Sequence, residues 1–224
     1  MAITLDTVTT GKNTDGTPLT ISTTVNAGSN RLLVVAVGQR SISQTVSGIT
    51  FNSVALTKAI DVDSTAFDQA SIWYLIAPDV TTANTVITFN AGTPVFFGAA
   101  VISLAGVAQS APVDDTDSVG VGSDATPTEF AALTTVTDGC VVIDAVSINI
   151  GSLTMSAETN RVERANFAGS DGRAVGVSTI INKTTAGGVL MEWSYGSSAS
   201  VAHVGAAFQP AVASNRFFIL THPA

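Results

Sequence analysis

The sequence predicts an all-β protein: a single antiparallel β-sandwich, jelly-roll-like, built from two related halves. Three observations predict it. The chain is weakly charged and rich in Thr and Gly; short runs of Val, Ile, Thr and Phe alternate with turn residues; and the second half of the chain echoes the first.

Only 12% of the 224 residues are charged, about half the usual share of ~25%. With 46% hydrophobic residues and 19 glycines, a large core is available and the surface must be covered by Thr, Ser, Asn and Gly. That is the composition of a β protein with many turns. The net charge of −8 repels phosphate backbones, so no nucleic-acid partner is expected. The single cysteine, Cys140, lies in Cys140-Val141-Val142-Ile143, which reads as a buried, inert thiol, with no intrachain disulfide. The first residues, Met1-Ala2-Ile3-Thr4-Leu5-Asp6, hold neither a basic segment nor an apolar run of signal-peptide type. The longest apolar stretches are too short to span a bilayer. The expectation is a soluble protein made in a cytoplasm, with no membrane partner; if it works outside a cell, it leaves by another route, such as release of particles.

In chain order, strands are expected at 3–9, 19–25, 31–37, 49–51, 70–77, 85–90 and 95–104, and then at 129–136, 140–148, 161–166, 174–181, 188–195 and 201–209. Many are continuous apolar runs, which suits strands covered on both faces. The repeat sets Asn30-Arg31-Leu32-Leu33-Val34-Val35-Ala36-Val37 beside Asp138-Gly139-Cys140-Val141-Val142-Ile143-Asp144-Ala145, and Phe97-Gly98-Ala99-Ala100-Val101 beside Val204-Gly205-Ala206-Ala207-Phe208. Such a repeat fits either two tandem small sandwiches or one sandwich with intertwined halves. A half alone would leave a large apolar sheet face bare, which favours one domain over 1–212. Its halves run from about 15–108 and 124–212, joined by a polar surface loop over 109–127, and a tail follows at 213–224. The core is expected to include Leu33, Val35, Ile72, Leu75, Val141, Ile143, Val189 and Phe208.

Few residues suggest chemistry. Histidine occurs only as His203 and His222, and no Gly-x-Ser-x-Gly elbow is present, so no catalytic residue and no enzyme activity is expected. Asp61, Asp63 and Asp68, and Asp114, Asp115 and Asp117, are acidic clusters without EF-hand spacing. They read as solvated loop acids, with no metal and no cofactor. Gly120-Val121-Gly122 lacks the Lys-Ser/Thr of a phosphate loop. Glu192 is expected to point to solvent. Trp193 and Tyr195, on one strand beside it, are candidate glycan-binding rings if they form an exposed patch.

The succession Asn30-Arg31-Leu32-Leu33-Val34, Val46-Ser47-Gly48-Ile49-Thr50-Phe51-Asn52, Ile72-Trp73-Tyr74-Leu75-Ile76-Ala77-Pro78 and Gly106-Val107-Ala108-Gln109-Ser110-Ala111-Pro112-Val113 resembles a β-sandwich repeat of phage virion structural proteins, of capsid decoration or cement type, and of bacterial surface proteins. The resemblance covers roughly residues 30–113, is fainter in the second half, and carries over no catalytic residue. It implies a virion structural protein that binds a major capsid protein or another virion protein and forms a symmetric homo-oligomer, a trimer in the favoured case. The alternatives are a carbohydrate- or receptor-binding module of a phage fibre or tail, and a subunit of an extracellular filament. The tail adds Arg216-Phe217-Phe218-Ile219-Leu220. These five residues are the candidate partner-binding segment, because extended apolar strands seek open sheet edges.

Overall fold

The computed structural model describes residues 1–13, 19–41, 43–91, 96–124, 128–149, 151–156, 160–169 and 172–212. The tail residues Arg216, Phe217, Phe218, Ile219 and Leu220, and His222, lie outside the described residues. Every regular element among the described residues is a β-strand.

The first half holds β1 (Thr4–Asn13), β2 (Thr20–Val25), β3 (Leu32–Arg40), β4 (Val46–Phe51), β5 (Val54–Ala55), β6 (Thr57–Asp63), β7 (Asp68–Ile76), β8 (Thr81–Phe89) and β9 (Phe97–Ala105). The second half holds β10 (Val113–Asp124), β11 (Thr128–Thr135), β12 (Cys140–Ile148), β13 (Leu153–Met155), β14 (Arg161–Ala168), β15 (Ala174–Lys183), β16 (Gly187–Tyr195) and β17 (Ala199–Phe208). They form antiparallel sheets ordered β1-β9-β3-β7-β6 and β2-β8-β4-β5 in the first half, and β10-β17-β12-β15-β14 and β11-β16-β13 in the second. The strand order of the second half repeats that of the first, with no counterpart to β5.

This differs from the expected single sandwich. No described sheet mixes strands of the two halves. Each half closes its own pair of sheets, and the bare face that argued against tandem units is covered by the other half. The two five-stranded sheets lie face to face: Leu32, Val34, Ala36, Ile72, Ile102 and Leu104 share one core with Val141, Ile143, Ala145, Val177, Val204 and Phe208. The smaller sheets cover the far faces, through Leu33, Val35, Ile49, Phe51 and Ile87 on one side and through Trp193, Leu133, Val189 and Met191 on the other. The stack is therefore four sheets deep. β3, β12 and β17 lie in its two inner layers, which explains why they are buried on both faces and mostly apolar. Strands of the outer sheets alternate instead, as β2 and β16 do. The expected core residues are buried apart from Leu75, which is half-buried at its strand's end.

The stretch read as a surface loop contains β10, the edge strand that pairs with β17 from Val113↔Phe208 onward. Its glycines serve close approach. A Cβ on Gly120 would lie 2.3 Å from the Asp63 carbonyl oxygen of β6, so only glycine lets these strands of opposite halves meet. On the other side of the seam, Lys12 of β1 donates to the Ala168 carbonyl of β14. The chain ends of β9 and β17 also pair across the seam: Ala108 N donates to Gln209 O and Ala211 N to Gly106 O, around a Val107↔Pro210 bridge.

Candidate functional site

The densest group of chemically capable side chains lies between the sheets of the second half. Asp144 interrupts the apolar run of β12, facing the three-stranded sheet between Val142 and Val146. Its neighbours across the ladder are Ser178 of β15 and Gly205 of β17. Asp144 Oδ1 accepts from Ser178 N at 2.7 Å and Ser178 Oγ at 2.6 Å. Asp144 Oδ2 accepts from Arg161 Nη2 at 3.0 Å, Trp193 Nε1 at 2.7 Å and His203 Nε2 at 3.0 Å. Arg161 also donates from Nε to Ser178 Oγ at 2.8 Å and from Nη1 to the Glu192 carbonyl. Its guanidinium lies 5.2 Å from the Trp193 ring centroid. Gly176 makes room for the indole, since a Cβ there would lie 2.7 Å from it.

Burial alone would push the Asp144 carboxyl up. The hydrogen bond and charge of His203, the charge of Arg161 and the Ser178 bond outweigh it and hold the group below its ordinary value. The site is nevertheless sealed: the side chains of Asp144, Arg161 and His203 are all 0% exposed. Nor is the order right for nucleophilic catalysis. Ser178 bonds the carboxylate rather than the imidazole, so the hydroxyl–imidazole–carboxylate order of a catalytic triad is not formed. The network fastens β12, β14, β15, β16 and β17 together.

Trp193 and Tyr195 are 0% and 3% exposed, so the expected exposed aromatic patch is not formed. Alternation along β16 points both rings inward with Val189 and Met191. Glu192 does face outward, half-buried, with Ser156 Oγ donating to its Oε1 at 2.6 Å.

The acidic run of β10 has a different use from the solvated one expected. Asp117, Asp115 and Asp114 accept the backbone N–H groups of Ala132, Thr134 and Val136 at 2.7, 2.6 and 2.8 Å. Three carboxylates on one edge strand thus satisfy the free donors of its neighbour β11, an edge that would otherwise be open to pairing. Asp6 of β1 does the same for Asn26 N.

A second polar cluster lies on the seam between the halves. Asp68 of β7 is 0% exposed. Ser147 Oγ of β12 lies within hydrogen-bond distance of both Asp68 Oδ1, at 3.2 Å, and the Gln39 carbonyl, at 3.0 Å. Nearby, Ser200 Oγ and Ser64 Oγ are 2.8 Å apart. Burial pushes the Asp68 carboxyl up to about 6, against the opposing pull of Ser200, Ser147, Arg40 and Arg173. Asp61 and Asp63 lie on β6 and make other contacts. Asp61 pairs with Lys58 at the surface and Asp63 accepts from Gln69. Among the described residues no group of three metal-ligating side chains converges.

Comparison with protein-family models, curated proteins and solved structures yields no match.

Sequence reasoning missed the Asp144 network. The available signal was a lone carboxylate in an apolar strand, together with one histidine and one arginine in later strands of the same half.

Proposed function

We propose that the chain is a non-enzymatic structural protein of virions, of decoration or cement type, that stabilises an assembled shell. The observation that supports this reading is where the polar side chains are used. Asp144, Arg161 and His203 are consumed in cross-sheet bonds inside the core, and Asp114, Asp115 and Asp117 cap a strand edge. Groups that an enzyme would present to a substrate act here as fasteners. The outer sheets instead present Thr20, Ser22, Thr82, Asn84 and Thr88 on one side and Ala132, Thr134, Thr154 and Gly188 on the other. With Glu192 the one outward charge on β16, such weakly charged faces dock against another protein while stripping little water from charges.

On this reading the two halves are copies of one sandwich unit facing each other across a local two-fold axis. The protein forms a symmetric homo-oligomer, a trimer in the favoured case, on a major capsid protein or another virion protein. Arg216, Phe217, Phe218, Ile219 and Leu220 form the segment that engages the partner. The test is co-sedimentation of the purified chain with intact shells from the same virus, paired with light scattering. The full chain is expected to sediment with shells and scatter as an oligomer. A chain lacking residues 214–224 is expected to stay folded, scatter as a monomer and remain in the supernatant. A full-length chain that never co-sediments overturns the reading.

A further inference from the structure

We propose that a groove on the seam between the two halves binds an anionic saccharide, a sugar ring bearing a carboxylate, sulfate or phosphate. The groove has a volume of about 450 Å³ and is lined by Arg40, Ser41, Ser43, Gln44, Phe67 and Arg173 among others, within the size range of small-molecule sites. Two other surface depressions lie on the three-stranded sheet of the second half and present no cation. This one presents two arginines, on a chain with nine Lys and Arg in all and a net charge of −8.

The two cations come from different halves. Arg40 ends β3, and Arg173 stands immediately before β15. The groove therefore exists only where the halves pack. The Arg40 guanidinium lies 4.9 Å from the Phe67 ring centroid. This stacking orients the planar donor fork, the geometry that recognises carboxylate and phosphate oxygens in pairs. Phe67 is itself 50% exposed. It offers an apolar ring beside a charge, which is the pairing a sugar's C–H face and acidic substituent require.

Two of the described segments that carry these groups are tied by hydrogen bonds. Ser64 Oγ accepts the N–H groups of Phe67 at 3.0 Å and Asp68 at 2.8 Å, fixing the turn that presents Phe67. Ser41 Oγ accepts from Gln44 N at 3.1 Å, fixing the opposite wall. A wall that is already ordered loses little entropy on binding. Exposed Ser43 and the edge of Gln44 supply hydrogen-bonding groups for sugar hydroxyls.

The test is isothermal titration of the full chain with oligogalacturonate, a sulfated disaccharide, mannose 6-phosphate, a neutral galactose oligomer and inorganic phosphate. At least one charged sugar is expected to bind at least tenfold more tightly than the neutral oligomer and than inorganic phosphate. Arg40→Gln and Arg173→Gln are each expected to weaken it tenfold or more. Phe67→Ala, at a half-exposed position that leaves folding intact, is expected to weaken sugar binding by a larger factor than phosphate binding. Equal affinity for charged and neutral sugars, phosphate binding as tightly as the best sugar, no binding of any charged sugar, or full affinity in Phe67→Ala would each overturn the proposal. The site is independent of the shell-binding reading, and co-sedimentation of these variants with shells is expected to be unchanged.

Discussion

Replacing Asp144 with alanine strands a cation in the core. In the native protein the carboxylate accepts five hydrogen bonds and neutralises a guanidinium whose side chain is 0% exposed. Breaking a buried pair by removing one partner costs about 3–5 kcal/mol, because the remaining charge has nowhere to go. For a chain of this size that corresponds to a fall in melting temperature of about 6–20 °C. The assay is a thermal melt followed by circular dichroism at pH 7. Adding Arg161→Met to Asp144→Ala removes the stranded charge and is expected to recover a substantial part of the loss, so the two substitutions are not additive. The bonds also predict a pH dependence. Asp144 titrates below its ordinary value in the folded state, so its stabilising contribution is present above the unfolded pKa of about 3.9 and lost as pH falls through the lower folded value. An Asp144→Ala variant that melts within about 2 °C of the native chain, or a double variant less stable than both single losses combined, would refute the idea that this network holds the second half together.

Asp68 carries the opposite sign. Its carboxyl rises from 3.8 to about 6 on folding, so stability associated with it is full below the unfolded value and lost as pH climbs through 6, by roughly 3 kcal/mol. Asp68→Asn is therefore expected to melt higher than the native chain at pH 7.5, with the gap narrowing towards pH 4.5. A gap that does not change with pH would count against the raised carboxyl. Changing Asp114, Asp115 and Asp117 together to alanine frees two donors on β11 and one just after it. It is expected to cost roughly 1 kcal/mol per bond and to promote aggregation by light scattering; a triple variant as soluble and stable as the native chain would rule out edge capping. Gly120→Leu sets a side chain against the Asp63 carbonyl and is expected to lower the melting temperature and raise protease sensitivity along the seam, whereas Gly48→Leu, with open space at its Cβ, should do far less.

Most strands are visible in the sequence, both those buried on two faces and the half-buried β2, β8, β11, β14 and β16. β3, β12 and β17 announce themselves by long, mostly apolar runs because the inner layers bury both of their faces. β6 escaped notice because Lys58, Asp61 and Asp63 break its apolar pattern, and β10 because Asp and Gly make up half of it. In β10 those residues cap a neighbouring edge and allow close packing, which local β-propensity does not register. The repeat was visible but misaligned. Setting Val34 beside Val142 joins a residue of the seam core to one facing the outer sheet. One position's slip along a strand exchanges its faces, and apolar residues on both faces give no signal to correct it. Matched by face, Val35 and Trp73 stand where Asp144 and Ser178 do, so the buried network belongs to one half alone. The sequence shows that an apolar face must be covered but not what covers it: no described sheet mixes strands of the two halves, yet both contribute to one shared core. Trp193 shows the same limit: its neighbours in the chain allowed either face, and the indole N–H found its partner in Asp144, 49 residues away.

The seam has a consequence for how the protein behaves on dilution. Two separate chains meeting through such a face would dissociate as their concentration fell. Here β10 follows β9 after a short connection and is itself an edge strand of the second sandwich, so the partner face is held at an effective local concentration in the millimolar range or above, whatever the bulk value. Association of the halves becomes part of folding rather than a binding equilibrium. A molecule released into a large volume keeps its inner core intact, and with it any groove that depends on both halves being together.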